Sequence, residues 1–252
     1  MTEVLFSRLV WIWITVAIVL FPILLMVTAP YGRHAKKNWG PMIDNRLGWF
    51  LMESPALFVF LYFLLRWGSF NNILVSIAFI LWVIHYFHRS ILFPLRIKTE
   101  GKKMPLIIAA FAIFFNLINA TVNGYWLSNF VPDSAPQGMD YLRIGLGILL
   151  FITGFVINKY HDRLLIKLRR SSKNGYQVPY GGLFRYVSCP NFFGEIIEWG
   201  GFALMVWSLP ALSFLVWTFV NLVPRAIDHH KWYKEHFTEY PAKRKAIIPY
   251  IL

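Results

Sequence analysis

Long apolar stretches recur along the chain at short intervals, and no other feature limits its fold as severely. Predominantly apolar runs cover Leu9–Thr28, Leu47–Leu65, Ile73–Phe87, Leu106–Leu127 and Tyr141–Ile157. Most reach or approach the ~20 residues that a helix needs to cross the hydrocarbon core of a bilayer. A longer stretch after Cys189 is interrupted at Pro210 and divides into Phe192–Ser208 and Ala211–Val223. Seven membrane helices are therefore predicted. Composition agrees: 57% of residues are apolar and 15% charged, against roughly 45–50% and 25% in soluble domains. Membrane-spanning strands would instead show alternating segments of ~10 residues. The first run exceeds the apolar region of a signal peptide, and no small-residue cleavage pattern stands near Ala29-Pro30. The expected fold class is all-α and polytopic, one domain over residues 1–252, with no internal repeat and no linker.

Positive charge orients the helices. Arg33, Lys36, Lys37 and Arg46 lie in the first connection, and Arg89, Arg96, Lys98, Lys102 and Lys103 in the third. The fifth holds Lys159, Arg163, Lys167, Arg169, Arg170, Lys173 and Arg185; the tail after Pro224 holds Arg225, Lys231, Lys234, Lys243, Arg244 and Lys245. Only Arg8, Arg66 and Arg143 lie elsewhere, and the intervening connections carry no Lys or Arg. The positive-inside rule assigns the basic side to the cytoplasm, with the N-terminus outside and the C-terminus inside. Topology and contact with anionic lipid account for the net charge of +13, so no nucleic-acid partner is expected. The oligomeric state is not legible.

One cysteine, Cys189, excludes an internal disulfide and any CxxC motif. Gly145 and Gly147 lie inside an apolar run without the strand and acidic residue of a dinucleotide fingerprint. A nucleotide would have to be held by side chains on helices. Tyr176–Phe184, with Pro179, Gly181 and Gly182, reads as a tight extended turn. The tail from His230 is amphipathic, broken by Pro241 and Pro249, and is expected along the membrane surface.

Ionisable groups inside membrane helices point to function, and here they gather at one depth. Glu53 opens the second helix; His85, Tyr86, His88 and Arg89 close the third; Asn158 and Asp162 close the fifth; Asn191, Glu195 and Glu198 open the sixth; Arg225, His229 and Tyr233 close the seventh. Asn158 and Asp162 share a face at i, i+4, and Arg225, His229 and Tyr233 form an i, i+4, i+8 stripe. Plainer readings stand beside this one. Glu53 is a possible structural partner of an arginine, and Asn116, Asn119 and Asn123 read as interhelical hydrogen-bonding glue. His229-His230 has no metal-binding spacing, so no metal is expected.

HYFHRS (His85–Ser90), YGGLFRYVSCPNFFGEIIEWGGFAL (Tyr180–Leu204) and HHKWYKEHFTEYPAKRKAIIPYIL (His229–Leu252) resemble the steroid 5α-reductase family, and the likeness extends back to Glu53 and to Tyr31 in APYGR. The C-terminal motif alone is similar to sterol reductases, enoyl-CoA reductases and isoprenylcysteine methyltransferases. Its combination with Glu53 and HYFHR favours the 5α-reductases. The resemblance implies NADPH-dependent reduction of a double bond conjugated to a ketone, as in 3-oxo-Δ4 steroids, with Glu53 and Tyr86 on the carbonyl. It also implies an NADPH site lined by Asn158, Asp162, Arg169, Tyr176, Asn191, Glu195, Arg225, His229 and Tyr233, with Tyr31 and Arg89 as weaker carry-overs. Met52 stands where the family often has Gln before the glutamate.

Such chemistry suits these residues. Hydride addition to an enone drives negative charge onto the carbonyl oxygen, where donors stabilise it by ~3–4 kcal/mol each. Tyr86 donates as a phenol. Glu53 donates only if protonated, and burial among apolar groups favours that form. The rival expectations are a membrane methyltransferase using S-adenosylmethionine, a transporter or lipid-binding scaffold, and a reductase of polyprenol precursors or enoyl-CoA.

Overall fold

The computed structural model describes every residue except 31, 35–38, 98, 100, 133–135 and 172–175. Among the described residues, helix dominates: α1 (Glu3–Met26), α2 (Asn45–Trp67), α3 (Ile73–Phe87), α4 (Phe93–Arg96), α5 (Leu106–Asn129), α6 (Met139–Ser171), α7 (Pro190–Val206) and α8 (Leu209–His236). In hydrocarbon, each backbone donor and acceptor must be satisfied within the chain, which selects helices for the apolar runs. Among the described residues, six helical segments are long and apolar enough to cross a membrane: Glu3–Met26, Asn45–Trp67, Ile73–Arg96, Leu106–Asn129, Met139–Ser171 and Leu209–His236. The run expected at Phe192–Ser208 is the helix α7, of 17 residues.

The chain divides into two compact units. One comprises Met1–Trp11, Ala29–Ile144 and Val206–Ala211; the other comprises Ile12–Thr28, Gly145–Met205 and Leu212–Leu252.

In the first unit a feature absent from the all-α expectation sets the helix register. Strands β1 (Met42–Asp44) and β2 (Lys103–Pro105) pair antiparallel, Met42 opposite Pro105 and Asp44 opposite Lys103. Each strand leads directly into a helix, β1 into α2 and β2 into α5. The Asp44 carboxylate caps α2, accepting from the backbone N–H of Arg46 at 2.8 Å and of Leu47 at 3.1 Å. Asn72 caps α3 in the same way, accepting from Leu74 N–H at 2.9 Å. Trp82 stacks on Phe60 with ring centroids 4.3 Å apart, and its indole N–H donates to the Ala56 carbonyl at 2.9 Å. Between α3 and α4 the backbone widens into one π-helical turn, His88–Leu92, where Phe93 N–H bonds the His88 carbonyl. Pro94 follows at once and has no N–H for the Ser90 carbonyl, so a regular ladder would leave that carbonyl open.

In the second unit α6 and α7 touch backbone to backbone. A Cβ on Gly147 would stand 2.6 Å from the Met205 nitrogen, and one on Gly194 2.6 Å from the Asn158 nitrogen. Gly154 and Gly201 complete the contact, the small-residue packing that lets membrane helices approach closely. Helix α6 continues beyond the apolar run that ends at Ile157, through Asn158 and Asp162, to Ser171, and α8 passes through Pro224 to His236. The tail after α8 departs from the surface-lying expectation. It doubles back, pairs Lys245 beside Val187 in a parallel bridge, and buries Ala246 and Ile247 with Cys189, Leu222, Val223 and Ala226. Buried apolar side chains there outweigh the amphipathic pattern that suggested a surface segment.

Candidate functional site

The expected site residues form two groups, one in each unit, apart from Tyr31, which lies outside the described residues.

Glu53, Tyr86 and Arg89 belong to the first unit. The Arg89 guanidinium donates through Nε to Glu53 Oε1 at 3.3 Å, with both side chains mostly withdrawn from solvent. Its charge also lies over the Trp49 ring at 4.6 Å and the Phe93 ring at 5.0 Å, contacts that help hold a cation away from bulk water. The other carboxyl oxygen, Glu53 Oε2, accepts from the Asn116 side-chain amide at 3.4 Å. Tyr86 is buried, at 3% exposure. Trp82 reaches Ala56 and Arg89 reaches Glu53. Tyr86, spaced i+4 and i−3 from them, therefore lies on the face of α3 that meets α2. Its carbonyl accepts from the Ser90 hydroxyl at 2.6 Å, inside the widened turn. Such turns recur at functional positions because they re-aim the side chains that follow, here Arg89.

The second group is hydrogen-bonded into a network. Asn158 Nδ2 donates to the Asn191 carbonyl at 2.9 Å and to Glu195 Oε2 at 3.1 Å; Asn191 Nδ2 donates to Asp162 Oδ1 at 3.0 Å. An i, i+4 pair on α6 thus meets an i, i+4 pair at the start of α7, at the level where Gly194 and Gly154 bring the helices together. Beyond it, Arg169 lies 4.9 Å over the Tyr176 ring, and Tyr176 packs edgewise on Trp232 at 5.3 Å. On α8, His229 packs against Phe192 at 5.8 Å, and Tyr233 stacks on Tyr240 at 5.3 Å. Arg225 lies one and two turns before them on the same stripe.

Two residues not expected from sequence belong to this group. His161 Nδ1 lies 2.7 Å from the Ile157 carbonyl, and its Nε2 accepts from Leu183 N–H at 2.9 Å. The ring therefore fastens the Gly181-Gly182 turn to α6. Gly182, at φ +52°, is required there, since a Cβ would stand 2.6 Å from His161 Nε2. Arg244 is the other. It is 3% exposed, sits over the Tyr180 and Tyr240 rings at 5.4 and 4.9 Å, and its Nε and Nη1 find no hydrogen-bond acceptor among the described residues. Nearby, the Ser188 hydroxyl lies 2.6 Å from both His230 Nδ1 and the Tyr240 hydroxyl, and donates to the Lys245 carbonyl at 3.0 Å. Burial pushes the Tyr240 phenol up, against the hydrogen bonds with Ser188 and Arg244.

Comparison with known proteins decides the family. A model described as 3-oxo-5-alpha-steroid 4-dehydrogenase matches residues 102–252. The chain is 41% identical to steroid 5-alpha-reductase DET2 of Arabidopsis thaliana, over 91% of this chain and 90% of that one. The chain belongs to the steroid 5-alpha-reductase family. It is also 37% identical to mouse (Mus musculus) 3-oxo-5-alpha-steroid 4-dehydrogenase 1, over 98% of this chain and 97% of the relative. Against the human (Homo sapiens) protein of the same name the identity is 38%, over 88% and 85%. The family consists of oxidoreductases acting on CH–CH bonds, and membership makes this chain an enzyme of that class.

Proposed function

We propose that the protein reduces the Δ4 double bond of a 3-oxo-Δ4 steroid or a similar apolar enone with NADPH. The observation that carries this reading is Glu53, a carboxyl in an apolar helix, on the α2 face that Arg89 reaches from one turn beyond the buried Tyr86. The carbonyl oxygen accepts from Tyr86 and from Glu53 in its protonated form, and both stabilise the charge that hydride addition develops there. NADPH, when bound, supplies the hydride to the β-carbon.

The second unit suits an anionic dinucleotide. Asn158 Oδ1 is buried without a hydrogen-bond partner among the described residues, as are Nε and Nη1 of Arg244. A site with an open acceptor beside Asp162 and Glu195, and open donors on a buried cation, is equipped for amide, hydroxyl and phosphate groups at once. Asn158, Asp162, Asn191 and Glu195 would take hydroxyl or amide hydrogens. Arg169, Arg225 and Arg244 would face phosphates, with Tyr176, His229 and Tyr233 as walls. Both units are parts of one reductase domain, set in the membrane as seven helices with α7 included, the N-terminus outside and the cofactor residues facing the cytoplasm.

Purified protein in detergent, given a 3-oxo-Δ4 steroid, a polyprenal and an enoyl-CoA, should oxidise NADPH with the steroid and yield the saturated ketone. Turnover with the enoyl-CoA alone would reassign the substrate. Binding of S-adenosylmethionine with no NADPH oxidation would overturn the reading.

A further inference from the structure

Of the three asparagines on one stripe of α5, two interact with each other: Asn123 Nδ2 donates to the Asn119 carbonyl at 3.0 Å and to its Oδ1 at 3.2 Å. Asn116 behaves differently. Its amide, 5% exposed, donates to the Met52 carbonyl at 2.6 Å and to Glu53 Oε2 at 3.4 Å. We propose that Asn116 is a positioning residue of the reductase, orienting the Glu53 carboxyl for its contact with the substrate carbonyl. The inference rests on the role proposed for Glu53.

Three observations support it. Helices α2 and α5 pack along each other, and Glu53 and Asn116 lie ~12 and ~15 Å from their starts at 1.5 Å per residue. Their meeting is built into the register. Next, the two hydrogen bonds are unequal. At 2.6 Å the backbone contact fixes the amide, whereas 3.4 Å is at the outer limit for a hydrogen bond. Asn116 therefore touches the carboxyl lightly from an anchored position. Finally, the two carboxyl oxygens have different donors, Arg89 Nε on Oε1 and the neutral amide on Oε2. A carboxyl held at both oxygens loses rotation about its last bond, and the amide achieves this without a second cation in the apolar bundle.

A mutant cycle on the full-length protein tests the assignment, with steroid turnover as readout and the thermal midpoint as a check on folding. N116L should lower kcat by about tenfold, the loss expected for one oriented contact made in the transition state, with KM for NADPH unchanged. N116D, which matches the native volume but lacks the amide donors, should fall as far, and N116Q, which keeps them, should fall least. In an E53A background, where no group is left to orient, N116L should cost less than about twofold more, because residues acting through one group are not additive. An equal further loss in E53A, N116Q falling as far as N116L, or a rise in the NADPH KM matching the fall in kcat would each overturn the proposal. E53A tests the parent reading separately. Wild-type turnover in E53A removes the role of Glu53 and the inference with it, whereas loss in E53A with an additive cycle removes Asn116 alone.

Discussion

The Glu53 carboxyl has a cation on one oxygen and an amide on the other, which makes it the residue whose replacement is most informative. Glu53→Ala removes a donor from the developing oxyanion and should lower kcat by about 100-fold or more. Glu53→Gln keeps an N–H donor and should retain much more activity. Equal abolition by both substitutions in folded protein would argue against donation and favour a carboxylate held ionised by Arg89. On the cofactor side, Arg169→Ala should raise KM for NADPH about tenfold while KM for the steroid stays put, since a charge-assisted contact to phosphate is lost. Arg244→Gln should act in the same direction, and its titration with NADPH by fluorescence gives the affinity directly. At this scale the sequence was readable where a polar residue interrupts an apolar run, as at Glu53, Asn158 and Asp162. It was silent on Arg244, one of many basic residues in a segment that looked like membrane-surface tail. It read Asn116 as interhelical hydrogen-bonding glue, in line with its bond to the Met52 carbonyl, but spacing on one helix cannot reveal which neighbour it meets.

Close contact between α6 and α7 organises the network of Asn158, Asp162, Asn191 and Glu195. Gly154→Val or Gly201→Leu would force side-chain atoms into the facing backbone. Each should destabilise the protein by about 1–3 kcal/mol or more, seen as a lower thermal midpoint together with weaker NADPH binding. Binding lost without any change in midpoint would show that the glycines serve another purpose. Helix positions were legible in the apolar runs, whose lengths match the bilayer. Their ends were not. Helix α6 continues to Ser171 through polar residues that carry no apolar signal. The short β1–β2 pairing escaped notice because three residues per strand are too few to show an alternation. The widened turn after Phe87 could have been suspected from Pro94 following a helix end so closely.

At the scale of the whole molecule, the charge asymmetry of the connections predicts that the basic ones share one side of the membrane. Single cysteines introduced at Lys102, Lys167 and Lys243 in a Cys189→Ala background should react with a membrane-impermeant maleimide only after the cytoplasmic face is opened. One introduced at Thr2 should react in sealed cells. The opposite pattern would invert the topology while leaving the helices unchanged. Charge asymmetry is written in the sequence because insertion reads it there; the division into two compact units is not, because it depends on which helices pack together.

The bridge between Val187 and Lys245 has a bearing on how the protein is made. Backbone groups of Tyr186, Ser188 and Cys189, just ahead of Asn191, find their partners at Lys245 and Ala246. A nascent chain therefore cannot close this turn until α7 and α8 have been synthesised and inserted. Competence to hold a dinucleotide would then arise late in biogenesis, and a ribosome stalled before Lys245 would leave behind an inserted but open reductase.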